Sequence, residues 1–426
     1  MQSLTIANEV DLLVARAHAA QRAFAARSEP KVDALLGDIA ETFAAHAQEL
    51  AIAAVTEKGI GNVPDKTLKN RLASPVGVVF GLIPKTHPAA TFVFKVLIAL
   101  KARNALILSC HRDAQDVGRL VGELITNVLR THNAPERLVQ WVRRSRDGGR
   151  QVIEALMRHP GVGLILATGG SAMVRAAYAS GNPAIGIGPG NAPTWVCADA
   201  DIDRLAPMLI TSKAFDNGIV CASEHNLVVD ASIRGRLVSA LERNGAAVLR
   251  PDEIAQFVEA VFETPAGHVR PNLVGQTASD LLAAAGLQRE AAIRLVVVPA
   301  ERAHLSGPLG REKLAPVTSL FTVSGDDDAL RVAHALLANE GAGHTAIIHS
   351  HNRDRIQRFS REMPASRILV NVSGTFGTFG LETGLPLSMT LGTGTFGGTS
   401  TTDSVSYRHL LNVKRVAYRT REWLAA

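Results

Sequence analysis

The chain has 426 residues, of which 46% are hydrophobic and 20% charged, so it can bury a large core and is expected to form two lobes. Its cysteines (Cys110, Cys197 and Cys221) have no CxxC spacing, which excludes a disulfide scaffold and a cysteine-rich zinc module. The net charge of +6 is dispersed and only 4% of the residues are aromatic, so nucleic acid is not an expected partner.

The N-terminus does not have the pattern of a signal peptide, because Glu9 and Asp11 interrupt its apolar residues. The apolar runs of the sequence are too short to span a bilayer. These features predict a cytoplasmic protein with no membrane partner. The positive charge is equally compatible with small ligands that carry phosphate.

The first sixty residues predict helices, because apolar residues recur at helical spacing in Val10–Ala17 and Val32–Phe43. From residue 75 onward, short apolar runs alternate with helical segments. The predicted strands are Val76–Ile83, Asn104–Ser109, Leu138–Val142, Val162–Ala167 and Ala184–Ile187, and the helices are Thr91–Ala102, Ala114–Thr131, Gly149–His159 and Ala172–Ala179. This order indicates a doubly wound α/β unit, in which ligands bind beyond the carboxyl ends of parallel strands.

A second alternation of helices and strands begins near residue 200, with a helix over Asp199–Phe215. Its predicted strands are Asn226–Val229, Ala246–Leu249, Leu295–Val298, Ser319–Val323, Thr345–His349 and Arg367–Asn371, and its helices are Ile233–Asn244, Ala329–Ala338 and Arg353–Met363. The boundary between the two predicted lobes is therefore placed near residue 200. The segment Gly392–Thr402 is rich in Gly and Thr but short, which favours a constrained loop over a linker.

Cys221 is a candidate nucleophile because it lies on a connection between a helix and a strand. The helix ends at Asn217-Gly218, two residues that suit a left-handed exit, and the next strand begins near Asn226. The alternative is a small buried hydrophobic residue, which is the role of most free cysteines. Packing is the expected role of Cys110, which follows a predicted strand, and of Cys197, which lies inside one.

Two glycine-containing stretches are candidate phosphate sites. Thr168-Gly169-Gly170-Ser171 follows a predicted strand and opens a helix, so a phosphate could approach backbone N–H groups there. The alternative is a plain tight turn. Gly186–Asn191 resembles a dinucleotide fingerprint, but Asn191 stands where the third glycine should fall.

A series of short motifs extends from about residue 55 to residue 415. The motifs are Asp65-Lys66 with Lys69-Asn70, Pro75–Val78, Phe94-Lys95, Lys101–Ala105, Ser109 with His111, Ala167–Gly170 with Met173-Val174, Gly188–Asn191, Phe215–Gly218 with Cys221–Glu224, Glu312–Pro316, Gly343–Thr345, Gly397-Gly398 and His409–Asn412. In this order they resemble the aldehyde dehydrogenase superfamily, and within it the coenzyme A-acylating branch. That branch includes the N-terminal half of bifunctional aldehyde/alcohol dehydrogenases and the acylating propionaldehyde dehydrogenases.

The resemblance implies a Rossmann-like domain (1–198) that binds NAD or NADP and a catalytic thiol domain (199–400). It also implies a C-terminal arm (401–426) that returns toward the first domain. It also implies that Cys221 attacks a small aldehyde and carries the acyl group as a thioester. Hydrolytic members use a glutamate to activate water, whereas the corresponding stretch here, Gly188–Asn191, has no carboxylate. The thioester should therefore persist until a better nucleophile, the thiol of coenzyme A, arrives. Glu224 is interpreted as structural.

The resemblance also assigns binding residues. Glu312 is expected to hold the nicotinamide ribose, and the cofactor is expected to lie against Thr168, Gly169, Gly170, Ser171, Gly188 and Gly190, with Ser109 and His111 at the adenosine ribose. His344 is placed near the acyl or coenzyme A side. The alternatives are an ordinary surface glutamate at 312 and a structural histidine at 344. No metal is implied.

The sequence departs from the family at two places. His87 stands where an asparagine usually helps to hold the developing oxyanion; a histidine N–H can donate the same hydrogen bond, or His87 and Lys85 could face an anionic substrate tail. Between Asn70 and Pro75 the family inserts an arm that reaches a neighbouring subunit, and only four residues, Arg71–Ser74, stand here. The resemblance implies a homodimer or homotetramer, and this deletion would alter its interface.

Two other functions are compatible with the sequence. One is a phosphorylating semialdehyde dehydrogenase of the glutamate-semialdehyde type, which also lacks the base. The other is a non-catalytic relative that acts as a binding or scaffold protein. The sequence alone names neither the aldehyde nor the choice between NAD and NADP.

Overall fold

Two parallel β-sheets organise the chain in the computed structural model, which describes residues 2–25, 27–58, 78–142, 149–263 and 267–412. The motifs at Asp65–Asn70, the deletion between Asn70 and Pro75, and the arm beyond Asn412 lie outside the described residues. Within the described ranges, no helix combines the length and the hydrophobicity that a membrane span requires.

Three N-terminal helices precede the first sheet: α1 (Gln2–Ala25), α2 (Glu29–Ala45) and α3 (Ala47–Lys58). Helix α1 contacts strands of this sheet, whereas α2 and α3 pack on the helices that cover it. Pro30 lies in the first turn of α2, where its missing N–H costs no hydrogen bond. The apolar residues of α2, including Val32, Ile39 and Phe43, are fully buried and belong to the same core as the first sheet. The helical spacing predicted for this region is confirmed.

The first sheet has the strand order β3-β2-β1-β4-β5, and its strands all pair in parallel. The strands are β1 (Val79–Ile83), β2 (Leu106–Cys110), β3 (Val139–Trp141), β4 (Leu164–Thr168) and β5 (Ala184–Ile187). The helices between them are α4 (Pro88–Leu100), α5 (Gln115–Thr131), α6 (Gly149–Arg158) and α7 (Ser171–Tyr178). Because helices connect successive parallel strands, the predicted doubly wound unit is confirmed.

The second sheet has the order β12-β11-β6-β7-β10-β9-β8 and is also parallel. Its strands are β6 (Pro193–Val196), β7 (Asn226–Asp230), β8 (Ala246–Val248), β9 (Leu295–Ala300), β10 (Val317–Val323), β11 (Gly343–His349) and β12 (Ala365–Val370). Its helices are α8 (Ile202–Ala214), α9 (Arg234–Arg243), α10 (Pro251–Val261), α11 (Ala278–Ala284), α12 (Asp326–Asn339), α13 (Arg353–Glu362) and α14 (Gly374–Thr378).

The chain passes from the first sheet to the second between β5 and β6. Strand β6 therefore belongs to the second sheet although it precedes residue 198, and the domain limits remain a prediction. The expectation that Cys197 lies inside a strand is wrong, because β6 ends at Val196. Helices α10, α11 and α14 were not predicted from the sequence.

After α14 the chain returns to the first sheet, because Met389, Leu391 and Val405 are buried in its core. The segment Gly392–Thr402 between them folds back on itself. The Gly394 N–H donates to the Thr401 carbonyl at 2.7 Å, and the Thr393 and Thr399 hydroxyls are 2.9 Å apart. The predicted constrained loop is confirmed.

Helix α4 is buried on all sides, and it carries one charged residue, Lys95. The Lys95 Nζ donates to the carbonyl oxygens of Leu82 at 2.6 Å and Leu166 at 2.8 Å. These bonds tie α4 to two neighbouring strands, β1 and β4. Burial lowers the pKa of Lys95 to about 7.

We predict that Lys95→Met flattens the pH dependence of stability. Between pH 7 and the ordinary lysine pKa, the unfolded chain binds a proton at this position that the folded chain lacks, so stability rises with pH. Replacing Lys95 should reduce this slope by up to about 1.4 kcal/mol per pH unit. Urea unfolding at pH 7.5, 8.5 and 9.5 measures it, with Lys31→Met on the exposed face of α2 as the control. Equal slopes in the two variants would contradict the prediction.

Candidate active site

Cys221 lies, partly exposed, on a loop between α8 and β7. After α8 the chain makes a 3₁₀ turn in which Asp216, Asn217 and Gly218 have φ of 50°, 53° and 74°. The predicted left-handed exit is therefore confirmed. A Cβ atom on Gly218 would lie 2.2 Å from the carbonyl group of Ala315, so both the backbone conformation and the available space require glycine.

A buried amine supports this loop from inside the protein. The Nζ of Lys213, on α8, donates to the Ser223 hydroxyl at 3.1 Å and to the Gly218 and Lys313 carbonyl oxygens at 3.4 and 2.9 Å. Burial lowers the pKa of Lys213 to about 7, and the neighbouring acidic groups, Cys221 among them, oppose that shift. The loop that carries the thiol thus encloses an amine that is only partly protonated at neutral pH.

His225 fixes the backbone of Cys221. Its Nδ1 accepts a hydrogen bond from the Lys313 N–H at 3.0 Å, so the ring proton is assigned to Nε2, which donates to the Cys221 carbonyl at 3.1 Å. Burial, reinforced by the nearby lysines Lys213 and Lys313, lowers the pKa of His225 well below its usual value. The ring is therefore neutral at physiological pH.

The Gly188–Asn191 stretch packs directly against the loop that carries Cys221. A Cβ atom on Gly190 would lie 1.8 Å from the Cys221 carbonyl oxygen. The Gly190 N–H donates to the Glu312 carboxylate at 2.8 Å, so the structure brings together Cys221, Gly190 and Glu312. Asn191 is buried and donates to the carbonyl oxygens of Gly310 and Leu336, which makes it a structural residue.

The Glu312 carboxyl group is held among other charges. Burial and the neighbouring Glu340 raise the pKa of Glu312 to about 8. Glu340 is fixed in turn, because its Oε2 accepts the Glu312 N–H at 2.9 Å. Glu312 is therefore mainly protonated at pH 7 and becomes a full carboxylate acceptor only above pH 8.

Glu224, three residues after the thiol, has a different role. One carboxylate oxygen accepts the Ser212 hydroxyl at 2.7 Å and the other accepts the Gly374 N–H at 2.6 Å, at the start of α14. The side chain is buried, and burial raises its pKa. These contacts tie α8 to α14 and agree with the structural interpretation of Glu224.

The carboxyl edge of the first sheet collects most of the other predicted site residues. Ser109 and His111 lie at the end of β2, and Lys85 and His87 follow β1. Thr168 is the last residue of β4, and Gly169–Ser171 follow it. These three strands are neighbours in the sheet. The hydroxyl oxygens of Ser109 and Thr168 are buried and have no hydrogen-bond partner within the described ranges. His87 occupies the position before the first residue of α4, Pro88.

The turn into α7 leaves room for a ligand. Within the described ranges, a Cβ atom on Gly170 or Gly188 would meet nothing within 4 Å, and no side chain caps the N-terminus of α7. A cavity of about 820 Å³ opens beside it, lined by α7, Gly188-Pro189, the turn Leu337–Ala342 and the loop Thr393–Gly398. Ser171, Gly188 and Glu340 line this cavity, which lies between the two sheets. A polar turn in which the Thr168 hydroxyl has no partner among the described residues, next to a cleft of this size, fits a phosphate-bearing ligand.

His344, the second residue of β11, is fully buried. Its Nδ1 is 3.0 Å from the Thr345 hydroxyl, and its Nε2 has no hydrogen-bond partner in the described part of the chain. Burial and the neighbouring Arg367 lower the pKa of His344 to about 3. This histidine is therefore a neutral hydrogen-bonding group.

Sequence analysis missed the buried basic residues near the thiol: Lys213, His225, Lys313 and Arg367. The available signal was a charged residue inside an apolar segment, such as Arg367 within β12. Cys110 and Cys197 are buried, as predicted, and burial raises the pKa of Cys197. Among the residues that the structure describes, no group of His, Cys, Asp or Glu could hold a metal ion.

A doubly wound parallel sheet is joined here to a second parallel sheet, and a loop of the second carries a partly exposed cysteine. This architecture is that of one class of dehydrogenase. Residues 61–252 match the model of the aldehyde dehydrogenase family. The bifunctional aldehyde-alcohol dehydrogenase AdhE of Escherichia coli is 32% identical over 456 residues, which cover 99% of this chain and 51% of that protein. The chain therefore spans about half the length of the curated relatives that it matches first.

Solved structures match over the whole chain. An acetylating aldehyde dehydrogenase from Geobacillus thermoglucosidasius is 33% identical with a TM-score of 0.94, and the match covers 100% of both chains. A Rhodopseudomonas palustris propionaldehyde dehydrogenase with bound CoA and an acylated cysteine is 27% identical with a TM-score of 0.86, covering 94% of this chain and 95% of that one. The chain belongs to the aldehyde dehydrogenase family, and the resemblance to its acylating branch is confirmed.

We predict that Gly190→Ala displaces the loop that carries Cys221, because the added methyl group would overlap the Cys221 carbonyl oxygen. Backbone atoms must then move, which typically costs about 1–3 kcal/mol and lowers the melting temperature by several degrees. Gly188→Ala is the matched control, since a Cβ there meets nothing within 4 Å. Thermal unfolding of both variants tests this; equal melting temperatures would contradict the packing of Gly190 against the loop.

Proposed function

We propose that this chain is a coenzyme A-acylating aldehyde dehydrogenase. It converts a small aldehyde, coenzyme A and NAD(P)⁺ to acyl-CoA and NAD(P)H, reversibly. The observation that carries the proposal is the packing of Cys221 against Gly188–Asn191, a stretch without a carboxylate that could activate water. The bound CoA and acylated cysteine of the Rhodopseudomonas palustris relative support the same assignment.

The acidic groups around the thiol are poor substitutes for the missing base. Both oxygens of Glu224 are engaged by Ser212 and Gly374. Glu312 is bonded to the Gly190 N–H, and its raised pKa leaves it mainly protonated at neutral pH. A thioester on Cys221 therefore meets little assistance for attack by water, whereas a thiol such as coenzyme A ionises readily and attacks without it.

The residues of this chain provide the nucleophile and its support. The Cys221 thiolate attacks the aldehyde carbon to form a thiohemiacetal, and the loss of hydride converts this adduct to a thioester. The thiolate of coenzyme A then displaces Cys221. Lys213 favours the anionic form of the thiol, and His225 holds its backbone in place. His87, at the start of α4, is the proposed donor to the developing oxyanion.

The residues at the carboxyl edge of the first sheet fit a dinucleotide. The unpaired hydroxyls of Ser109 and Thr168, together with His111, would receive polar groups of the adenosine half. Gly169, Gly170 and Ser171 would receive the diphosphate at the N-terminus of α7. NAD(P)⁺ accepts the hydride when it is bound.

Three further residues complete the proposed site. Glu312 would hold the nicotinamide ribose beside Gly188 and Gly190. Lys85 is proposed to face the substrate, where it would favour an aldehyde with an anionic tail. His344 is placed on the coenzyme A side as a neutral hydrogen-bonding group.

We also propose that the chain forms a homodimer or homotetramer. Strand β12 ends the second sheet, and one of its edges pairs with no strand among the described residues. Pairing between subunits is one way to cover such an edge.

The test of function is formation of NAD(P)H from a panel of small aldehydes, neutral and anionic. We expect turnover that requires coenzyme A and is not supported by phosphate. Cys221→Ser should abolish it, whereas Cys197→Ala, at a buried thiol after β6, should retain most of the activity. Release of free acid at the same rate without coenzyme A would overturn the proposal, and dependence on phosphate would favour the glutamate-semialdehyde type.

We predict that cofactor affinity depends on the ionisation of Glu312. A carboxylate accepts hydrogen bonds from ribose hydroxyls better than a carboxylic acid does. The KM for NAD(P)⁺ should therefore fall as the pH rises through about 8, the pKa of Glu312. Glu312→Gln keeps the acceptor for the Gly190 N–H but should lose this dependence. Measuring the KM for NAD(P)⁺ over pH 6.5–9.5 tests this dependence. If the KM of the Glu312→Gln variant fell with pH as it does in the wild type, the role of Glu312 would be contradicted.

A further inference from the structure

Arg367, on β12, holds both ends of the loop Gly392–Thr402. It is 3% exposed, and its guanidinium donates to the carbonyl oxygens of Gly392 at 2.6 Å and Thr402 at 3.2 Å. It also donates to the carbonyl oxygen of Gly343, at the start of β11, at 3.3 Å. Because the guanidinium is a rigid fork of donors, one side chain can bridge all three carbonyls. Arg367 therefore fixes the base of the loop to the second sheet.

The loop packs on the second sheet with no side chain between the two backbones. A Cβ atom on Gly343 would lie 1.9 Å from the Thr393 carbonyl oxygen, and one on Gly397 would lie 2.6 Å from the Ala342 carbonyl oxygen. Gly343 also has a φ of 80°, which favours glycine. Because the packing is this close, the position of the base also sets the position of Gly397 and of its neighbour Phe396.

The same loop forms one wall of the cavity of about 820 Å³ beside α7. Phe396, Gly397 and Gly398 line the cavity from the loop, and two residues proposed to hold the cofactor, Ser171 and Gly188, line it as well. Phe396 is 57% exposed, the highest value among the large hydrophobic side chains that the structure describes. An aromatic face that is open to a cleft of this size is available for contact with a ligand.

The polar side of the cavity indicates the chemistry of its ligand. Arg175, on α7, lines the cavity, and no carboxylate among the described residues forms an ion pair with it. The carboxylate of Glu340, which also lines the cavity, accepts the Glu312 N–H. Phosphate groups suit Arg175 and the start of α7, whereas Phe396 suits a flat or apolar group. NAD(P)⁺ and coenzyme A share this chemistry, because each joins a diphosphate to flat or apolar groups.

We propose that Phe396 contacts a bound coenzyme that carries a diphosphate, and that Arg367 positions Phe396 by holding the base of the loop. Phe396 is thus a binding residue, and Arg367, which acts through the loop, is a positioning residue. The proposal rests on the proposed function in taking NAD(P)⁺ and coenzyme A as the ligands. It adds a wall to the site, since none of the residues assigned above to a coenzyme comes from this loop.

The test is the dissociation constant of NAD⁺, NADP⁺ and coenzyme A, each measured by isothermal titration calorimetry without an aldehyde. Phe396→Ala should weaken the binding of NAD(P)⁺, of coenzyme A or of both by about tenfold, because an aromatic contact is lost. The separate titrations show which coenzyme the ring contacts. Leu12→Ala, at a side chain that is 49% exposed on α1, is the matched control and should leave all three constants unchanged. Unchanged constants in Phe396→Ala would overturn the proposal.

Arg367→Gln should weaken binding by a similar factor, and Arg367→Lys, which keeps a cationic donor without the fork, should give an intermediate loss. The double variant Arg367→Gln/Phe396→Ala should lose no more affinity than Phe396→Ala alone, because Arg367 acts through the ring. Losses that multiply in the double variant would overturn the positioning role, as would full affinity in a folded Arg367→Gln protein. Arg270→Gln is the control, since Arg270 also donates to backbone carbonyls, those of Glu259 and Ala260.

Phe396 is exposed, so Phe396→Ala should fold and decide the contact by itself. If Arg367→Gln does not fold, Arg367→Lys takes its place, and wild-type affinity in that variant would overturn the positioning role. Calorimetry requires no turnover, so the two proposals fail separately. A wild-type protein that binds the coenzymes but forms no acyl-CoA would refute the proposed function alone. Turnover by the wild type, together with unchanged constants in the variants, would refute only the role of the loop.

Discussion

The contact between Gly190 and the Cys221 carbonyl is the constraint on which the rest of the site depends. Gly190 belongs to the passage from the first sheet to the second, whereas Cys221 is carried by a loop of the second. Because no side chain fits between them, Cys221 lies directly against the segment that leads out of the first sheet. The N–H of the same glycine fixes Glu312, so one residue without a side chain aligns a thiol and a carboxyl group.

Around this contact the protein buries more basic side chains than acidic ones. Lys213 lies buried beneath the loop that carries the sulfur, while His225 and His344 are kept neutral by burial and by their cationic neighbours. The carboxyl groups nearby are either engaged, as in Glu224, or mainly protonated, as in Glu312. Such an environment favours attack by sulfur and offers little help to water.

The sheets and the candidate nucleophile could be predicted because their signals are local. Continuous apolar strands separated by helical segments identify both parallel sheets, and Asn217-Gly218 marks the turn that precedes Cys221. Strand β6 was not assigned to the second sheet, since nothing in four residues shows which sheet they join. The partners of Arg367 and Lys213 come from distant segments, so periodicity shows at most that a charged residue falls on an apolar face. The ionisation of Glu312 depends on Glu340, which is near it only in space.

The return of the chain to the first sheet has a mechanical consequence. The Tyr178 hydroxyl on α7 accepts the N–H groups of Gly186 and Ser400, and the Ser400 hydroxyl donates to the Ala184 carbonyl on β5. The segment Gly392–Thr402, which follows the last strand of the second sheet in the sequence, is thus hydrogen-bonded to a helix and a strand of the first. The two sheets are therefore joined through this loop as well as through the connection between β5 and β6. Since Thr393 and Phe396 of the same loop line the cavity, these hydrogen bonds also hold one of its walls against the first sheet.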